Sequence, residues 1–251
     1  MNKSLNKNNK SKNVFITGGE GYIGSTLSLL DCMQENNLFK IIFSSSATVY
    51  NDKQSLPLKE TGKIGNTQNL YGTTKYIIER ILMDLAQSDN RWSIRIARYF
   101  NPISNHSTGL IMENPKGITN NLIPYIVRVA QKKLPFLKVF GRNYKTKDGT
   151  GVRDYIHVMD LADGHVAMIK NNRLKKGLKI YNFGTGKGSS VLEVIKSFEN
   201  QNGISIPFQF TRRRKGDVAV SFCSSKKALK ELKWKANFNL KQTIIDIKKT
   251  I

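Results

Sequence analysis

The sequence predicts an α/β fold built round a parallel β-sheet, and three observations carry that prediction. Apolar segments of strand length alternate with amphipathic segments of helical period. The first strand runs straight into a glycine-rich turn that opens a helix, GGEGYIG at residues 18–24. The stretches between successive strands are long enough to hold a helix, which parallel neighbours require.

In order, residues 13–17 form a short apolar strand. Ile23, Leu27, Leu30 and Met33 then recur at helical steps, so one continuous helix over residues 22–36 follows the turn. Residues 40–46, KIIFSSS, read as a buried strand, 70–85 as an amphipathic helix, and 92–100, WSIRIARYF, as the next strand. The second half is expected to hold a helix over 122–132, a strand round Val139 and Phe140, and a loop through 148–151. A strand or turn at 154–157, a helix over 160–170, a strand at 179–183 and a helix over 190–200 follow. Gly184, Gly186 and Gly188 punctuate the last step from strand to helix. No repeat and no Pro/Ser linker divides the chain, so its two halves are expected to share a cleft.

The 251 residues carry 41 Lys plus Arg against 18 Asp plus Glu, a formal net charge of +23. Such an excess marks a polyanion binder when the basic residues cluster. Here most are scattered lysines, dense only in residues 1–12 and at Arg212, Arg213, Arg214 and Lys215. The excess therefore reads first as a lysine-rich bias over solvated faces, with polyanion binding or attraction of a small anionic substrate as the alternatives. A hydrophobic content of 39% supports a sizeable core. Residues 1–12, polar and aperiodic, are expected to form a disordered basic arm. Cys32 and Cys223 lie far apart with no C-x-x-C or histidine cluster, which excludes a disulfide framework and a cysteine-ligated metal; no metal site is expected. No apolar run approaches the roughly 18–20 residues that span a bilayer, and the first residues lack the apolar core of a secretory signal. The expectation is a soluble, cytoplasmic protein.

Gly18, Gly21 and Gly24 sit where backbone N–H groups and a helix N-terminus meet a pyrophosphate, although a plain strand-to-helix turn has the same pattern. The acid expected about 20 residues further on, which would bond an adenosine ribose, is absent. Tyr71 and Lys75 stand four apart on one helix face. An ammonium beside a phenol stabilises the phenolate, which would make Tyr71 a general base. Ser44, Ser45 and Ser46 end a parallel strand, where such folds bind ligands.

GGEGYIG, FSSSATVY, YGTTK, RYFNP, DGTGVRDYIHVMDLADGH and YNFGTG, in that order, resemble the UDP-glucose 4-epimerases of the extended short-chain dehydrogenase/reductase superfamily. The resemblance covers residues 13 to about 234. It implies a Rossmann-like parallel sheet with a smaller C-terminal α/β substrate domain, and NAD as cofactor. UDP-glucose and UDP-galactose would be the substrates, with UDP-N-acetylhexosamines as further candidates. Tyr71 would take the proton from the sugar 4-hydroxyl, Lys75 would lower its pKa and hold the nicotinamide ribose, and Ser46 would orient the hydroxyl, with Thr48 beside it. Gly18, Gly21, Tyr22, Ile23 and Gly24 would hold the NAD pyrophosphate, with Tyr99 near the nicotinamide. Asn101 and Asn121 would contact the sugar nucleotide, Phe140 would pack on uracil, and Arg153 and Arg214 would clamp the diphosphate. Asp217 would bind a ribose hydroxyl, and Ser221 would face the substituent on hexose C2. Hydride would leave C4 for NAD and return to the other face of a rotated 4-keto sugar. A homodimer is among the assemblies the resemblance allows, and neither nucleic acid nor membrane is an expected partner.

The sequence departs from that family in one large respect. GYIGS runs directly into TLSLLDCMQENNLFKIIFSSS, which matches the helix and strand that lead into the serine motif. The block that would hold the second, third and fourth strands is missing, and with it the adenosine half of the cofactor site. The expected division is therefore a truncated NAD-binding domain over 13–110 and a UDP-sugar-binding domain over 111–251, with an interleaved boundary. An apolar sheet edge should also be left bare. A chain so shortened leaves two alternatives open: a catalytically impaired remnant that binds UDP-sugar only, or another nucleotide-sugar epimerase or dehydratase.

Overall fold

The computed structural model describes residues 23–51, 54–110, 121–171 and 176–247, and the backbone of 14–16. In chain order the first half holds β1 (Val14–Ile16), α1 (Ile23–Glu35), β2 (Lys40–Ser46), a single 3₁₀ turn (Ala47–Val49), α2 (Leu70–Ser88), β3 (Ser93–Tyr99) and β4 (Asn101–Ile103). After these come α3 (Leu122–Ala130), β5 (Leu137–Phe140), β6 (Val152–Arg153), β7 (Tyr155–His157), α4 (Val158–Asn171) and β8 (Gly177–Phe183). The chain continues through β9 (Ser189–Ser190), α5 (Val191–Asn202), β10 (Phe208–Thr211), β11 (Val220–Ser221), α6 (Lys226–Leu232) and α7 (Leu240–Ile247).

The principal sheet is parallel, in the order β1-β2-β3-β8. β2 and β3 are covered on both faces, which is why they read as largely apolar runs. Ile41 and Phe43 of β2 and Ile94 and Ile96 of β3 turn to one face, under Leu30 and Met33 of α1 and Ile78 and Leu82 of α2. Ile42, Ala97, Tyr181 and Phe183 turn to the other, under Leu161 and Met168 of α4 and Ala228 and Leu232 of α6. A separate core joins α3, α5 and α7 with β5 and β7 through Ile126, Leu137, Val139, Phe198 and Ile244.

The join after the glycine turn behaves as one helix, as expected, and it moves the sheet edge from the serine strand to β1. α1 has 13 residues. At about 1.5 Å per residue it is long enough to carry the chain back alongside a strand. β1 then pairs directly with β2, Val14 opposite Ile41 and Ile16 opposite Phe43, and takes the edge position itself. The strands of this sheet run in sequence order throughout. Among the described residues there is consequently no point where the order reverses, the place at which doubly wound sheets open a dinucleotide crevice.

Asp154 pins the second half of the chain to the end of this sheet. It is fully buried between β6 and β7. Its carboxylate accepts from the backbone N–H groups of Thr185 at 2.8 Å, Gly186 at 3.0 Å and Cys223 at 3.3 Å, and from the Thr185 hydroxyl at 2.7 Å. The turn after β8 and the segment after β11 thereby share one anchor. Asp154→Ala strands several buried donors at a cost of about 1–3 kcal/mol each. We expect a loss of at least about 3 kcal/mol, read as a lower urea midpoint at unchanged slope; a midpoint equal to the parent's would contradict this.

Candidate functional site

Successive side chains of a strand alternate between faces, so the three serines that end β2 meet three different neighbours. Ser44 Oγ accepts from the Tyr99 hydroxyl at 2.5 Å, and Tyr99 also meets His165 Nε2. The other His165 nitrogen, Nδ1, donates to the Leu161 carbonyl at 2.9 Å, which leaves Nε2 to accept from the Ser44 hydroxyl at 3.5 Å, the one Tyr99 proton being committed to Ser44. Burial lowers the His165 pKa and keeps the ring neutral. Ser45 turns to the opposite face and donates to Glu79 of α2 at 2.5 Å. Ser46 accepts from the Thr48 N–H at 3.2 Å and the Thr48 hydroxyl at 2.9 Å, and it is the group that lowers the Tyr71 pKa.

α2 begins against this strand end. Asn69 caps it by accepting from the Gly72 N–H at 2.7 Å. A Cβ at position 72 would lie 2.8 Å from the Thr48 carbonyl, so only glycine lets the first turn sit this close. Tyr71 and Lys75 then share one stripe, as their spacing requires. Lys75 is 2% exposed, and its ammonium donates to the Ser44 carbonyl at 3.0 Å. It stands 5.6 Å from the centre of the Tyr71 ring, over the face.

Burial lowers the pKa of Lys75 and raises that of Tyr71, and Ser46 draws the Tyr71 phenol back down. The carbonyl at the end of β2 holds the buried ammonium over the Tyr71 ring.

Two adjoining cavities open from this end of the sheet. One, of about 760 Å³, is lined by Asn121, Phe140, Tyr144 and Arg214; the other, of about 500 Å³, by Ser46, Thr48, Tyr99 and Ser221. Asn101, Arg153 and Asp217 line both. At this seam Arg153 donates to Asp217 at 3.5 Å. The Arg214 guanidinium stacks 3.8 Å from the centre of the Phe140 ring, so one face of that ring is covered by a cation. Gly216, at φ 83°, presses on Gln68, whose Cβ would lie 2.9 Å from a side chain there. The loop carrying Arg214 and Asp217 therefore touches the segment that leads into Tyr71.

Most of the residues singled out from the sequence converge here. Tyr71 and Lys75 line neither cavity and reach the second one through Ser46. Ile23 and Gly24 open α1, while Gly18, Gly21 and Tyr22 lie outside the described residues. Sequence reasoning missed Ser44, Ser45, Glu79, Arg98 and His165 as parts of the polar framework. Glu79 did carry a signal, since it repeats the four-residue step from Tyr71 to Lys75. Among the described residues no group of His, Cys, Asp or Glu could hold a metal, and no helix is long and apolar enough to cross a membrane.

The model of the NAD dependent epimerase/dehydratase family matches residues 25–184. The chain belongs to that family. The match begins at Ser25, where the glycine turn meets the later helix. The chain is 48% identical over 224 residues to the UDP-glucose 4-epimerase of Pasteurella multocida, covering 89% of this chain and 66% of that protein. It is 48% identical over 221 residues to that of Bacillus subtilis, covering 88% and 65%. The chain thus spans just under two thirds of the curated relatives it matches. Among solved structures, the UDP-glucose 4-epimerase from Bifidobacterium longum in complex with NAD+ and UDP superposes at a TM-score of 0.86 with 49% identity, over 90% of this chain and 67% of that one. The enzyme from Stenotrophomonas maltophila with bound NAD and formylated UDP-arabinopyranose gives 0.87 and 44%, over 90% and 67%. The epimerase/dehydratase family thus holds the Rossmann-like α/β fold that the sequence predicts, shortened in this member.

Because Ser46 is the group that lowers the Tyr71 pKa, Ser46→Ala should raise it further above the ordinary value near 10. Carbon-13 tyrosine NMR across alkaline pH, with the signal identified by Tyr71→Phe, reads the shift; an unchanged or lower midpoint would contradict that role of Ser46.

Proposed function

We propose that this chain carries the substrate half and the proton-handling centre of a UDP-glucose 4-epimerase, interconverting UDP-glucose and UDP-galactose with NAD as cofactor. The observation that carries the reading is the seam of Asn101, Arg153 and Asp217 between the two cavities. A nucleotide diphosphate-sugar has the matching shape: base and ribose in the larger cavity, hexose in the smaller, and two phosphates between them. Arg153 and Arg214 suit the phosphate oxygens, Asp217 and Asn121 suit hydroxyl and amide groups, and Phe140 suits a base. For uracil to stack on Phe140 from the side Arg214 now covers, that guanidinium must swing off the ring toward the phosphates.

In the smaller cavity Ser46 would accept and relay the proton of the hexose 4-hydroxyl to Tyr71, with Thr48 holding the serine oxygen. Asn101 and Tyr99 border the hexose, and Ser221 would leave room for an N-acetyl group, admitting UDP-N-acetylhexosamines. The residues at the nicotinamide end of the cofactor fit it. Lys75, a buried cation that donates to the Ser44 carbonyl and lies over the Tyr71 ring, would hold the nicotinamide ribose. NAD, when bound, accepts hydride from C4 and returns it to the opposite face. No acid among the described residues replaces the missing adenosine contact at the end of a second strand. That gap, with the sheet order that never reverses, favours one second reading: binding of UDP-sugar without turnover.

The division of labour follows residues 13–110 and 111–251, interleaved because β8 of the second segment completes the first sheet. A cytoplasmic setting, suited to NAD, nucleotide sugars and unpaired cysteines, belongs to the same proposal. Calorimetry should detect UDP, and Arg153→Ala or Arg214→Ala should each weaken it about 10- to 100-fold by removing a charge-assisted phosphate contact. Parental affinity in both variants would remove the basis for placing a diphosphate at the seam.

A further inference from the structure

A buried, closely connected polar cluster lies outside the proposed chemistry, directly behind its helix. Glu79 and Arg98 have side chains 0% and 1% exposed. Arg98 of β3 donates to Glu79 from Nε at 3.0 and 3.2 Å and from Nη2 at 2.6 Å, and Ser45 of β2 donates to the same carboxylate at 2.5 Å. The third guanidinium nitrogen, Nη1, donates to the Glu60 carbonyl at 3.3 Å, and the plane lies 4.7 Å from the centre of the Tyr50 ring. Burial opposes the charge on Arg98, and the Glu79 carboxylate overcomes it.

Such a pair is a weak device for stability, because apolar residues of the same volume often serve a core as well or better. Its geometry supplies what an apolar contact lacks, which is direction. Leucine against leucine tolerates rotation of a helix about its axis, whereas a forked donor on a carboxylate does not. Glu79 continues the stripe of Tyr71 and Lys75 at the same four-residue step. A rotation of about 25° at a side-chain radius of about 5–6 Å moves a group by about 2 Å. That exceeds the tolerance of the Tyr71–Ser46 and Lys75–Ser44 contacts. The clamp also grips β2 at Ser45, between the two residues those contacts use.

We propose that Glu79, Arg98 and Ser45 act as positioning residues that fix the rotation of α2, and through it the placement of Tyr71 against Ser46 and of Lys75 against the Ser44 carbonyl. This deepens the proposed function and rests on it for the use made of Tyr71, but the placement itself is measurable without ligand. The double variant Glu79→Leu/Arg98→Met replaces the pair by apolar groups. It should fold, melting within a few degrees of the parent, and should bind UDP with parental affinity, since the groups proposed to hold UDP lie off α2.

Carbon-13 tyrosine NMR should then show the Tyr71 midpoint rising further above the ordinary value near 10, as it does when Ser46 itself is removed, and Ser46→Ala added to the double variant should no longer shift it. A folded double variant with the parental Tyr71 midpoint and the parental response to Ser46→Ala would overturn the proposal. Ser45→Ala, which leaves the ion pair in place, should produce a smaller shift of the same sign. If the double variant fails to fold, absence of that shift in Ser45→Ala overturns the proposal by itself. Failure of the parent to bind UDP would sink the functional reading and leave this test of the clamp intact.

Discussion

The carboxyl end of β2 is the constraint on which the rest of the site depends. A strand must alternate its side chains, and three serines in a row therefore send hydroxyls to opposite faces within the length of a single loop. Ser45 reaches α2 through Glu79, Ser44 reaches α4 through Tyr99 and His165, and Ser46 faces the cleft with Tyr71. The two layers of helices and the proposed reacting groups thus share one short segment of backbone. Shifting β2 by one residue against β3 would exchange all three partners at once, and the seven-residue parallel register between them opposes that shift.

The same segment explains how the fold accommodates so large a loss. The chain spans just under two thirds of the relatives it matches, and both sides of the join after the glycine turn are helical in sequence, so α1 bridges them. β1 then occupies the edge beside β2 and pairs there in register. Everything that packs against β2 and β3 from α2 onward remains, including the helix that carries Tyr71 and the cavities beyond it.

The long elements were legible because period and length agree. β2 spans the expected residues, and α2 and β3 lie within three residues of the expected bounds at each end. The two-residue strands β6, β9 and β11 were not, since two residues have no period to read, and they form only by meeting one another in space. At the site, motif spacing brought out Ser46, Tyr71 and Lys75. It did not bring out the hydrogen bond that gives Lys75 the Ser44 carbonyl. That outcome depends on which acceptor lies nearest a buried ammonium, a matter of tertiary geometry. Asp154 was invisible for the same reason: its donors lie 31 and more residues downstream.

The central claim is that the two cavities form one site for a nucleotide diphosphate-sugar, with the diphosphate at the Asn101, Arg153 and Asp217 seam. Amide hydrogen exchange with UDP and with UDP-glucose, each at saturation, tests it most directly. UDP should slow exchange at residues 137–140 and 214–217, and UDP-glucose should add protection at residues 46–50 and 69–72. Identical maps for the two ligands, or protection confined to residues outside both cavities, would contradict the account.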